Sequence, residues 1–277
     1  MFSASLTALS KNDSMLKAEV NGQKHNGIRY PLIDAVRGAC VLGMIVYHAL
    51  FDIAELFGFG VEKFVSFVPL LLARDIGAGL FIFLSGLCSH FSRRPFTRFA
   101  VLFVGGLVVS AATLIAAPES AVLFGILTFM SVSGLLLFFL NRYCHLYRLP
   151  PKVFCVINLC LFVFFLRMNY AYVGTYSHVW FYLPQALYRN YVTAFFGFPF
   201  NGFSSGDYFP LFPWFFACLA GYFFYGAVKN SEKIKRAACV RIPVLTQAGR
   251  YSFIVYLIHQ PVLYGFIWLL SHLLGAN

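Results

Sequence analysis

The chain has 277 residues, of which 60% are hydrophobic and only 11% charged, and it carries a formal charge of +11. Soluble domains run near one quarter charged and under half apolar, so this composition excludes an ordinary water-soluble enzyme. Nucleic acid is excluded as a partner, because the Lys and Arg residues sit in short segments between apolar runs and form no basic stripe interleaved with aromatics.

Residues 1–29 are polar, contain Lys11, Lys17, Lys24 and Arg29, and hold no apolar run. They predict a disordered cytoplasmic leader without a cleavable signal peptide, which leaves the first span to act as the insertion signal. Residues 30–277 predict a single integral-membrane domain. Crossing ~30 Å of hydrocarbon takes about 20 apolar residues. Runs of that order near 31–51, 70–91, 99–117, 121–141, 153–167, 208–228 and 248–271 predict an all-α, polytopic membrane helix bundle of about seven transmembrane helices. The breaks between them carry turn chemistry: Arg93-Arg94-Pro95, Ala117-Pro118-Glu119 and Leu149-Pro150-Pro151. The stretch 168–207 is rich in Tyr, Phe, Gly and Asn and predicts an interfacial loop with a short amphipathic helix near 179–196. Trp214 reads as a residue of the aromatic belt.

Sixteen of the 21 basic residues fall on the side of the leader, which predicts an N-in/C-out arrangement in the inner (cytoplasmic) membrane. The seven cysteines contain no CxxC pair and read as apolar fillers, with no metal site expected.

Ionisable groups within a bilayer are costly and mark function by default. The first span holds Asp34, Arg37 and His48, with Asp52 just beyond. At 100° per residue, Arg37 and His48 fall within ~20° of one another, ~16 Å apart along the axis. Asp34 lies one turn before Arg37 and Asp52 one turn after His48. One helix face therefore carries a charge pair at one end and a His–carboxylate pair at the other. The second span opens with Arg74-Asp75, and the seventh contains His259-Gln260-Pro261, where Pro removes a ladder hydrogen bond beside two polar side chains. His259 and Gln260 suit the lining of a cavity or a helix–helix hydrogen bond, and Arg74-Asp75 suits a pair at the membrane boundary or a place facing an acceptor. On residue chemistry alone the stripe fits a membrane enzyme, a small-molecule permease or exporter, or a non-catalytic envelope scaffold. The lack of inverted repeats counts against transport, and four converging polar residues count against a scaffold.

The segment Asp34-x-x-Arg37-Gly38, with His48 ten residues beyond Arg37, resembles the first span of membrane acyltransferases, including acyltransferase family 3. Three further segments extend the likeness: Leu80–Gly86, Asp207–Trp214, and Gly249–Ser252 running to Tyr256–Pro261. Together they cover residues ~29–271 and resemble the bacterial heparan-alpha-glucosaminide N-acetyltransferase-like catalytic domain. The lysosomal branch carries Asn where His48 stands and has its reactive His in the following loop; residues 49–89 here contain none.

The resemblance implies transfer of an acetyl (acyl) group from cytosolic acetyl-CoA, the donor substrate, to a sugar or amino-sugar acceptor on the outer side, with no metal. It implies donor binding by Asp34, Arg37, Arg93 and Arg94, with Arg98 nearby. His48 would be the general base and Asp52 its orienter. Arg74, Asp75, His259 and Gln260 would line the acceptor cavity, with Asp207 at the outer mouth. The implied partners are acyl-CoA, a glycan or amino sugar and the lipid bilayer; the oligomeric state stays open.

Overall fold

The computed structural model describes residues 30–56 and 67–273, so the predicted leader 1–29 lies outside the described residues. The chain folds into helices α1 (Pro31–Leu56), α2 (Val68–Cys88), α3 (Pro95–Ala116), α4 (Ile126–Tyr143) and α5 (Pro151–Phe165). A small antiparallel hairpin follows, β1 (Tyr172–Gly174) and β2 (Val179–Tyr182). The short α6 (Tyr191–Phe196) leads to α7 (Leu211–Val228), then to α8 (Glu232–Ala238), α9 (Pro243–Arg250) and α10 (Ser252–Leu273). Seven of these, α1–α5, α7 and α10, are long and apolar enough to cross a membrane.

Helix starts follow the prolines. Pro95 and Pro151 each occupy the first turn of their helix, where the missing N–H is an orphan donor anyway. The fourth span begins at Ile126 rather than near 121. Phe124 takes a left-handed backbone (φ 56°), and residues 121–125 bond instead to the segment 205–209. Gly206 N donates to Ala121 O, Phe209 N to Phe124 O, and Leu123 N to the Ser205 hydroxyl. The seventh span begins at Ser252, because the chain breaks at Tyr251 and the preceding α9 packs along the start of α1.

Two pairs of glycines permit the closest crossings. A Cβ on Gly249 would strike the Asp34 carbonyl, and one on Gly38 would strike that of Leu245, so α1 and α9 meet backbone to backbone. Gly86 against Cys218 and Gly221 against Phe83 do the same for α2 and α7. Helix α7 is the buried centre of the bundle, lying between α2 and α5 and contributing Phe215, Cys218, Tyr222 and Phe223 to the core. Trp214 belongs there too. It is 8% exposed and packs on Phe162 and Phe209, which corrects its reading as a belt residue. The outward faces stay apolar, with Ile115 and Val163 left 85% and 64% uncovered, as lipid-facing side chains would be.

The expected amphipathic helix near 179–196 is also corrected. Residues 179–182 are extended and pair with 172–174, as four consecutive β-branched or aromatic residues favour. Helical structure begins only at Tyr191, behind a capping box in which the Asn190 side chain accepts from Thr193 N and the Thr193 hydroxyl accepts from Asn190 N.

Candidate functional site

At the basic end of the bundle, a cavity of about 580 Å³ opens between α1, α2, α3, α4 and α10. Asp34, Arg37 and Arg98 line one part of it, and Ile126 and Tyr256 another. Arg37 bridges to Asp34 at 3.2 Å and donates to the Cys88 sulfur at 3.1 Å. Arg98 donates to the Ser85 hydroxyl at 3.1 Å and has no carboxylate partner among the described residues. One acid therefore faces two guanidinium groups, and the cavity keeps a surplus positive charge suited to an anion such as phosphate. Arg93 and Arg94 are exposed where α3 begins and do not line this cavity, whereas Arg98, one turn into the same helix, does.

Tyr256 carries the cavity lining toward a second polar cluster. Its hydroxyl donates to Asp207 Oδ2 at 2.6 Å, and the same oxygen accepts from Ile126 N, the first helical N–H of α4, at 3.1 Å. One turn further along α10, His259 Nδ1 lies 2.6 Å from the Tyr256 carbonyl. A carbonyl only accepts, so Nδ1 carries the proton and Nε2 keeps its lone pair. That Nε2 is enclosed and has no hydrogen-bond partner among the described residues. Beside it, 5.2 Å between ring centroids, stands His48 of α1. The next polar contact along the seam joins Gln260 Nε2 to both oxygens of Asp52, each at 3.3 Å. The α1 stripe thus finds its partners on α10: His48 meets His259, and Asp52 meets Gln260.

Arg74 and Asp75 form a separate group at the far end of α2. Their side chains pair at 2.8 Å, and the Asp75 carboxylate is buried. Tyr176, from the turn of the β-hairpin, donates to Asp75 Oδ2 at 2.5 Å and so fastens the hairpin to the bundle. Burial, with the bonded carboxylate, pushes the Tyr176 phenol above the usual tyrosine range. Arg167 lies over the rings of Tyr170 and Tyr176, at 4.1 and 4.5 Å.

Sequence reasoning foresaw the Arg37–Asp34 pair and the polar character of His259 and Gln260. It missed that Tyr256 and Asp207 are bonded, and that the Asp75 carboxylate is held by a tyrosine about a hundred residues away. A phenol one turn before His259 in an apolar span was the available signal for the first; nothing in the sequence signals the second.

No curated protein and no solved structure matches the chain. The model of the family described as heparan-alpha-glucosaminide N-acetyltransferase, catalytic, matches residues 29–261. That span takes in α1 with His48, the Asp207 segment, and α10 as far as Pro261, so every element of the arrangement above lies within it. The chain is a multi-pass membrane protein, and it belongs to the heparan-alpha-glucosaminide N-acetyltransferase catalytic-domain family.

Proposed function

We propose that this protein transfers an acetyl group from cytosolic acetyl-CoA to the amine or hydroxyl of a sugar acceptor on the outer side of the inner membrane. The observation that carries the reading is the alignment of one cavity with two polar clusters. Arg37 and Arg98 lie at its basic end, and Tyr256 carries its lining to the His48–His259 pair. The donor's phosphates sit against the two guanidinium groups, and its pantetheine arm runs through the cavity toward Tyr256.

At the far end, the acceptor's nitrogen or oxygen attacks the thioester carbonyl. The new C–N or C–O bond forms as the C–S bond breaks, and the CoA thiolate leaves. His48, as a neutral imidazole with a free lone pair, takes the proton that the acceptor loses. His259, its tautomer held by the Tyr256 carbonyl, stands beside it with a second lone pair. Asp52 and Gln260 flank this pair, and with Arg74 and Asp75 they supply hydrogen-bonding groups for a polyhydroxylated acceptor.

The purified protein, given radiolabelled acetyl-CoA and a panel of amino sugars and neutral glycans, is expected to yield a labelled, acid-stable acceptor. Hydrolysis of the donor with no labelled acceptor from any sugar would refute the transfer.

A further inference from the structure

Proton uptake by the histidine pair creates a cation inside a low-dielectric bundle, and such a charge needs a fixed counter-charge to form readily. Several polar groups among the described residues surround the pair. Tyr47 and Asp52 belong to the same helix as His48, Tyr256 and Gln260 to the same helix as His259, and Asp207 enters from the loop before α7. Arg74, on α2, acts on Tyr47. Of the acids, Asp52 accepts from Gln260, and Asp207 accepts from Tyr256 and from Ile126 N. Asp207 acts electrostatically on both His48 and His259.

Asp207 is also the acid whose place is most firmly set. The loop around it is strapped to residues 121–126 by the hydrogen bonds of Ser205, Gly206 and Phe209, and its Oδ2 caps the first N–H of α4. Tyr256 then joins this carboxylate to the histidine with two different groups of one residue. Its hydroxyl donates to Asp207, and its carbonyl accepts from His259 Nδ1. Asp207 and His259 are thereby linked through a single residue, by its side chain on one side and its backbone on the other.

We propose that Asp207, acting through Tyr256, is the carboxylate that positions the histidine pair and stabilises the imidazolium formed during transfer. The assignment rests on the acetyl-transfer reading above, and it differs from the sequence resemblance, which implied Asp52 as the orienter. It separates the two carboxylates: Asp207 serves the base, and Asp52, with Gln260, faces the acceptor. The arrangement follows the logic of a catalytic triad, in which the acid holds the imidazole and its charge without taking the proton. Here a tyrosine is interposed.

The test uses the full-length protein in detergent or nanodiscs and two variants. Tyr256→Phe removes one oxygen and keeps the ring that lines the cavity; Asp207→Asn removes the charge and keeps the shape. Both are expected to lower kcat at least about tenfold while leaving KM for acetyl-CoA unchanged, because the donor's phosphates bind elsewhere. A second readout needs no turnover. Diethyl pyrocarbonate acylates only neutral imidazole, and mass spectrometry follows its reaction at His48 and His259 against pH. Loss of a nearby anion disfavours the charged ring, so the midpoint for the pair is expected to move to lower pH in Asp207→Asn. Unchanged kcat in Tyr256→Phe, or an unchanged midpoint in folded Asp207→Asn, overturns the proposal. If Asp207→Asn does not fold, Tyr256→Phe decides through its kcat and KM. If the wild-type protein acetylates no acceptor, the transfer reading fails while the histidine midpoint still decides the role of Asp207.

Discussion

His48 and His259 come from the first and last spanning helices and meet with their rings 5.2 Å apart. One residue further along α10 and four further along α1, the same helices are joined again, by Gln260 and Asp52. The seam between α1 and α10 is therefore polar over about a turn. Polar groups buried at such a seam gain most when they face each other, because neither helix alone can satisfy them.

The basic bias makes topology the first expectation. Reporter fusions within 93–97, 142–152 and 229–247 are expected to read cytoplasmic, and those within 170–205 external. The β-hairpin at 172–182 is the informative site, since the fifth spanning helix before it has only 15 residues. A fusion at 180 that reads cytoplasmic would show that α5 does not cross.

Donor affinity is expected to depend on the cavity arginines. Arg98→Ala removes the guanidinium that lacks a carboxylate, and Arg37→Lys keeps the charge but loses the planar fork. Each is expected to weaken acetyl-CoA binding by roughly tenfold in calorimetry, as loss of one charge-assisted phosphate contact does. Arg93→Ala and Arg94→Ala are expected to change it less, because neither residue lines the cavity. The opposite order of effects would move the donor site to the surface loop.

Helix contact between α1 and α9 sets a stability expectation. Gly249→Leu drives a side chain into the Asp34 carbonyl, and overpacking of this kind costs about 1–3 kcal/mol or more. Gly43, on the same α1 helix, has open space around it, so Gly43→Ala is expected to be neutral or stabilising by up to ~1 kcal/mol. Thermal unfolding in detergent compares the two. Equal melting temperatures would mean that α9 docks only loosely on α1.

The hairpin clasp yields a pH expectation. The Tyr176 phenol is raised in the folded state, chiefly by burial and then by its bond to Asp75. Its contribution is fully present below the unfolded value near 10 and is lost as pH rises through the raised one. Proteolysis of the 172–182 segment is thus expected to stay flat from pH 8 to about 10 and to speed up above that. Tyr176→Phe is expected to speed it up already at pH 8. Cleavage that climbs steadily between pH 8 and 10 in the wild type would show that this clasp does not hold the hairpin.

How far the sequence reads depends on whether a feature is local. The seven spans were legible because hydrophobic length is a property of one segment, and Pro95 and Pro151 mark their own helix starts. The face shared by Arg37 and His48 was legible because helical periodicity sets it. What His48 would touch was not, since His259 approaches from a helix at the far end of the chain. Asp52 was legible as a carboxylate one turn from His48, but its contact with Gln260 across the seam was not. Arg98 was visible only as one basic residue among several; the wall of a cavity separates it from Arg93 and Arg94.

The histidine pair supports the most discriminating expectation. His48→Ala is expected to lose at least ~100-fold in turnover, because positioned proton transfer typically contributes 10²–10⁴. Acetyl-CoA binding is expected to survive, since Arg37 lies three turns, or ~16 Å, along the same helix. His259→Ala is expected to cost a comparable factor, for its ring packs against His48 and its Nδ1 is tied to Tyr256. If the two act as one unit, the double variant is expected to be little slower than either single one, because removing the second member of a broken unit costs little. Independent roles predict that the two losses multiply. A purely structural pair predicts lower folded yield with near-normal turnover in what folds, and a transport function predicts no acetylated product from any variant or from the wild type. Turnover, yield and product identity for the two single variants and the double variant therefore separate four readings, and a His48→Ala protein with normal turnover would move the base to His259 alone.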